Sequence, residues 1–235
     1  MPSIDSLKFD TAGWTLKETS SEVMCWTNPK AQVLSLHFFN KPPDIPCALM
    51  DLDTLRAMYR LGLSQSGAAL ISGDVSSANH LKCVKVVFKT PRQPRGMVYV
   101  GSLTFPFQEF SYVAKIQCVE PGSTGLRDAV VFQELSQRGT LEFDNETRSF
   151  RGWAADPYDP TYKAPLLRNR SDDEQFDASF PDHPLTDVRI WMNTMPSTVH
   201  ADESVLAAAG FGGPEVQAAG RDEAAHGKKP WWRFW

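Results

Sequence analysis

The chain lacks any apolar run of about 18 residues, so no membrane-crossing helix is expected. Its start, Met1-Pro2-Ser3-Ile4-Asp5, has neither the basic nor the apolar stretch of a secretory leader. Charge of one sign is not in excess either: 24 Lys and Arg stand against 28 Asp and Glu, a formal net charge of -4. A broadly basic nucleic-acid face is therefore not expected. Cysteine is scarce, and Cys25, Cys47, Cys83 and Cys118 stand too far apart for the CxxC spacing of a zinc knuckle or redox pair. Each has apolar neighbours, which predicts buried free thiols in a reducing compartment and a cytoplasmic protein. There is no GxSxG elbow, no P-loop lysine and no internal repeat, and no cofactor is expected.

What is present is globular by composition. Hydrophobic residues make up 42% and charged residues 22% of 235 positions, enough for one sizeable core. Residues 9–40 read as extended, most clearly where Leu34, Leu36 and Phe38 share one face, with Asn28-Pro29-Lys30 as a hairpin turn. Prolines 42, 43 and 46 end that segment, because proline lacks the ladder N–H. Asp51 caps a helix with Leu52, Leu55 and Tyr59 on one side and Asp53, Arg56 and Arg60 on the other, ending within 62–67.

Runs 82–89, 97–105 and 110–119 alternate apolar and polar residues and predict an antiparallel meander. The connection 89–96 is stiffened by Pro91 and Pro94, carries Lys89, Arg92 and Arg95, and reads as an exposed loop, either simply solvated or able to dock an acidic partner or a phosphate. A helix follows to about Gln137, with Leu126, Ala129, Val130 and Gln133 as its buried stripe and Gly139 as its stop. Residues 140–170 are turn-rich but carry Trp153, Tyr158, Tyr162, Leu166 and Leu167, enough apolar area to wrap the body. Ser171 and Glu174 have capping-box spacing, and Pro184 opens a helix with Leu185, Val188 and Trp191 or Met192 facing in.

The fold class that follows is α+β, a twisted antiparallel meander packed against helices in a single domain over residues 5–195. Composition then turns to Ala, Gly and scattered charge, which predicts a flexible linker over 196–227 and a terminal peptide over 228–235.

Residues that carry chemistry are few. Asp156 and Asp159 could divide acid and base roles in a hydrolase, and Asp182-His183 offers an orienter and a base. The set Asp172, Asp173, Glu174, Asp177, Asp182 and His183 invites a metal, but acids in a first helical turn also complement the helix dipole. Asp-Pro pairs are turn formers, so each of these groups has a structural reading beside the enzymatic one.

The terminal peptide is different. Three of the seven tryptophans fall in the last five residues, where Trp231, Trp232, Arg233, Phe234 and Trp235 follow Lys228-Lys229-Pro230. Exposed aromatics are costly, and Trp and Arg are the types enriched at binding hot spots. Docking to a protein partner, contact with a membrane interface, folding back on its own domain, and a merely weakly constrained end are the readings that remain. A tether of about 30 residues reaches roughly 30 Å.

The order hairpin, helix, meander, helix over residues 9–137, most clearly in Gly96-Met97-Val98-Tyr99-Val100-Gly101-Ser102-Leu103 leading into Phe110-Ser111-Tyr112-Val113, resembles the PsbP-like superfamily. That superfamily includes proteins of the DcrB and LpqN kinds and Eag-type secretion chaperones. The resemblance implies binding or chaperoning without a catalytic centre. Residues 140–235 have no counterpart in the short members, and no site residue carries over.

Overall fold

The computed structural model describes residues 1–122 and 124–213, and every structural statement below concerns those residues. A short strand β1 (Leu7–Lys8) precedes a hairpin-rich stretch, β2 (Thr15–Thr19), β3 (Val23–Thr27) and β4 (Val33–Phe39). Helix α1 (Leu52–Gln65) leads into a four-strand run: β5 (Ala69–Ala78), β6 (Leu81–Pro91), β7 (Met97–Pro106) and β8 (Ser111–Val119). Then come α2 (Leu126–Gln137), the hairpin β9 (Glu142–Asp144) and β10 (Ser149–Arg151), and α3 (Pro184–Thr194). The small elements β11 (His200–Ala201) and α4 (Glu203–Leu206) close the described chain.

Seven strands form one antiparallel sheet in the order β2-β3-β4-β8-β7-β6-β5. The expected meander is there, extended by β5 on one side. Paired residues share a face, so the register separates two layers. Leu34, Leu36, Leu103, Phe105, Tyr112, Ala114 and Ile116 pack with Leu185, Val188, Trp191 and Met192 of α3 in one core. Val84, Val86, Phe88, Val100 and Val113 pack on the opposite face with Leu55, Tyr59 and Leu63 of α1 and with Ile45, Cys47 and Leu49. Gly101 shows how closely α3 lies on the sheet: a Cβ there would stand 2.6 Å from Met192 Sδ and 2.9 Å from Val188 Cγ1.

Asp51 caps α1 as expected, its carboxylate accepting the Thr54 N–H. Tyr158 ties the 140–170 wrap to the sheet edge, where its hydroxyl accepts the Gly73 N–H at 2.8 Å.

Four local expectations are corrected. The buried stripe of α2 is Arg127, Val131 and Leu135, while Leu126 and Val130 point to solvent. An arginine takes the inward position because the neighbouring segment supplies it with acceptors, described below. The capping box at 171–174 does not form. Asn169 caps the turn Arg170–Asp172 instead, and Asp172 closes the box. Lys89 is not in an exposed loop, because β6 runs on through Pro91 and carries Lys89 into the interior. Finally, the chain does not leave the body at 196. β11 pairs with β1, Val205 is fully buried, and Gly210 bridges to Phe107. Few apolar residues suffice there, because Val199, Ala201, Val205 and Ala208 join the core of the α3 side.

Candidate functional site

Asp156 and Asp159 come together, but around an arginine. Arg60 of α1 reaches Asp156 Oδ1 at 3.3 Å and Asp159 Oδ2 at 3.5 Å. Asp156 Oδ1 also accepts the Tyr158 and Asp159 N–H groups at 3.0 and 2.9 Å, which is an Asp-Pro turn satisfying its own backbone. The Thr161 hydroxyl and amide hold the Asp159 carboxyl below the ordinary carboxylate range, so it stays ionised rather than serving as an acid. The cavity that Asp156 lines with Arg60 and Tyr162 measures about 10 Å³, about the room one water requires.

Asp182 is exposed. His183 caps α3: its Nδ1 accepts the Leu185 N–H at 3.2 Å, and its Nε2 lies 3.6 Å from Glu120 Oε1. The ring stands edge-on to Tyr99 at 5.0 Å. Burial pushes the Glu120 carboxyl up, but the neighbouring His183 ring and hydrogen bonds from the Gly125 and Met97 amides outweigh it and leave the carboxyl below its ordinary value. An Nδ1 engaged as a cap acceptor has no lone pair left for a substrate proton.

These two pairs are separated by the sheet. Arg60 belongs to α1 on one face, whereas His183 starts α3 on the other. No single site contains all four residues.

The acids 172–177 likewise face cations of the scaffold. Arg127, 1% exposed, donates to Ser171 O at 2.7 Å, Asp173 O at 3.1 Å, Thr186 Oγ1 at 3.3 Å and Asp177 Oδ1 at 2.8 Å. Arg189 of α3 shares Asp177 at 2.8 Å and donates to Asp172 O. Asp173 meets Arg168 and Arg170. Asp172 pairs with Lys89 at 2.6 Å, both side chains almost wholly buried. Among the described residues no three His, Cys, Asp or Glu side chains come together to hold a metal ion.

A polar row on the α1 side of the sheet was not legible as a site in the sequence. Register places Cys25, Ser35, Lys115 and Ser102 side by side across β3, β4, β8 and β7. His37 Nε2 lies 3.0 Å from Ser35 Oγ, and the ring stacks parallel on Phe39 at 6.2 Å. Burial and the nearby Lys115 push His37 down to about 3, and burial brings Lys115 down to about 8. Ser35 is buried, and a lysine rather than a carboxylate stands beside the imidazole, the reverse of what orients a catalytic base. The signal was the alternation of Ser35 and His37 with Leu34, Leu36 and Phe38.

Arg92 and Arg95 are exposed at the β6–β7 turn. Trp231, Trp232, Arg233, Phe234 and Trp235 lie outside the described residues. Two surface clefts, of about 360 and 400 Å³, flank the 204–211 segment, one against Phe38 and Phe110, the other against His80, Leu81 and Phe107. None of the candidate catalytic residues lines either cleft. No described helix is long and apolar enough to cross a membrane.

No protein-family model matches the chain, and no curated protein matches it in sequence. Among solved structures the chain is similar to a 1.50 Å crystal structure of a protein from Bacteroides thetaiotaomicron VPI-5482, with 9% identity and a TM-score of 0.32. The match covers 50% of this chain and 40% of that one, so the chain spans less than half of that protein's length. A likeness this low transfers neither fold nor function.

Proposed function

We propose that the protein is a non-enzymatic binding or adaptor protein that engages a protein partner through its terminal peptide, residues 228–235, with Arg92 and Arg95 as an accessory cationic contact. The observation that carries this reading is the fate of the alternative's residues. Asp156 and Asp159 clamp Arg60, while His183 caps α3 across the sheet. The hydrolase or metal-enzyme alternative would need them in one cleft. Chemistry adds support, since Trp makes large contact area at small entropy cost and Arg is among the residue types enriched at binding hot spots. The PsbP-like resemblance, with its implied binding or chaperoning role, belongs to the same proposal. So does a cytoplasmic location, supported by four free thiols.

The test compares the full chain with a variant carrying Trp231→Ser, Trp232→Ser and Trp235→Ser in partner capture, with free Lys-Lys-Pro-Trp-Trp-Arg-Phe-Trp peptide as competitor. The reading expects a captured protein that the variant loses and the peptide displaces. Identical capture by both chains, undisturbed by peptide, overturns it. Capture that moves to anionic vesicles would favour the membrane reading.

A further inference from the structure

We propose that the cleft between the β5–β6 turn and residues 205–211 binds a small carboxylate with an apolar body, the carboxylate held by His80 and Lys82 and the body by Phe107 and Leu206. The site is independent of the terminal peptide.

The cleft follows from the path of the chain. Residues 205–211 cross the end of the sheet from one layer to the other: Val205 belongs to the α3-side core, whereas Phe211 packs on the α1-side cluster. Backbone bonds pin the crossing, with the Gln108 N–H donating to Ala209 O at 3.1 Å and the Phe211 N–H to Pro106 O at 3.4 Å. Between the two anchors the chain offers Ala207, Ala208, Ala209 and Gly210, which are too small to fill the space beneath them. A gap of about 400 Å³ remains, within the range of small-molecule sites.

Its walls divide by chemistry. Leu49, Leu81 and Phe107 form an apolar floor, and Leu206 stands at the lip with 60% of its surface exposed. His80 and Lys82 are the titratable side chains of the cleft, and both are exposed. Among the described residues that line it, none is acidic. An ammonium and an imidazole N–H beside an apolar floor select an anion carried on an apolar body. The neighbouring cleft against Phe38 and Phe110 carries Glu109 instead and does not offer this pairing.

The turn that presents His80 is strained. Ala78 pairs with Leu81, so Asn79 and His80 are the two central residues of the hairpin turn, with φ of 42° and 74°. Asparagine suits the first of these positions, but the second is ordinarily glycine. The Asn79 amide locks the turn by donating to Val199 O at 2.8 Å. A histidine at the second position gives up the easier backbone of glycine and places an imidazole on the cleft, the kind of strain that is kept where a side chain has a task.

Octanoate is the probe and octanol its uncharged counterpart, with titration calorimetry and backbone amide shifts read on the full chain. Octanoate should bind saturably with a Kd of about 0.1–1 mM, as suits so small a ligand, and should move the amides of residues 80–82, 107 and 205–211. Octanol should bind about tenfold more weakly. Lys82→Met should weaken octanoate by about tenfold and leave thermal unfolding unchanged. His80→Gly should weaken it severalfold while raising the thermal midpoint by about 2–4 °C, because glycine accepts that turn position. Leu206→Asp, at the exposed lip, should abolish binding by setting an acid beside the bound carboxylate. Absence of saturable octanoate binding, equal affinity for octanol, wild-type affinity in Lys82→Met or in His80→Gly, or amide shifts centred away from the cleft would each overturn the proposal.

Discussion

Lys89 and Asp172, 83 residues apart in sequence, meet as a buried ion pair with 2.6 Å between Nζ and Oδ2. The pair links β6 to the Arg170–Asp172 turn, and Asp172 Oδ2 also accepts the Asn169 N–H at 2.9 Å. Removing one partner strands a charge in the interior. Lys89→Met should therefore destabilise the protein by about 3–5 kcal/mol. Lys89→Met with Asp172→Leu should recover part of that loss, because no orphan charge remains. Urea unfolding of the two variants and wild type measures the difference, and a double variant no better than Lys89→Met would be inconsistent with the pair.

Arg127 binds two backbone carbonyls, a hydroxyl and a carboxylate through its planar fork. A lysine cannot span those four acceptors. Arg127→Lys should cost about 2 kcal/mol or more, since several buried acceptors lose their donors together. Hydrogen exchange should show the loss at residues 170–179 before the central strands.

The outcome for α2 shows what a sequence can reveal. Periodicity found the helix and its end, yet hydrophobicity alone put Leu126 and Val130 inward. The inward position went to Arg127, whose acceptors come from residues 171, 173, 177 and 186, all distant in sequence. The meander was legible because alternation is local, and so was the Asp51 cap. Strand β5 was missed: residues 69–78 hold Ser72, Gly73, Ser76 and Ser77 at a sheet edge, where half the positions face water. The cap at Asn169 was hidden by a better-spaced Ser171 and Glu174. The fate of the Asp156, Asp159, Asp182 and His183 candidates was set by which face of the sheet each segment reached, which no local pattern carries.

His37 makes stability depend on acid. Its imidazole is held near 3, by burial first and Lys115 second, against an ordinary value of 6.5. Between those values the unfolded chain binds a proton that the folded chain refuses, so stability falls as pH drops from 6.5 towards 3, by at most about 1.4 kcal/mol per pH unit. His37→Gln should flatten that slope. Lys115→Met should raise the His37 pKa of the folded chain and so shorten that window from its acid end, leaving its onset near 6.5. Denaturant midpoints measured across this range decide the matter; a slope unchanged in His37→Gln would assign the acid sensitivity to other groups.

His183 acts here as a helix cap. His183→Asn keeps a side-chain acceptor before Pro184 and should be nearly neutral, whereas His183→Ala should cost about 1 kcal/mol. Thermal unfolding of the two variants separates a capping role from a merely space-filling one.

The central claim is that binding resides in residues 228–235 and that the acidic and histidine pairs are scaffold. Its most direct test is one capture experiment with three full-length chains: wild type, Asp159→Asn with Asp182→Asn, and the triple Trp231, Trp232, Trp235→Ser variant. The account expects the partner to be held by the first two and lost by the third. Retention by the tryptophan variant, with loss in the aspartate variant, would contradict it.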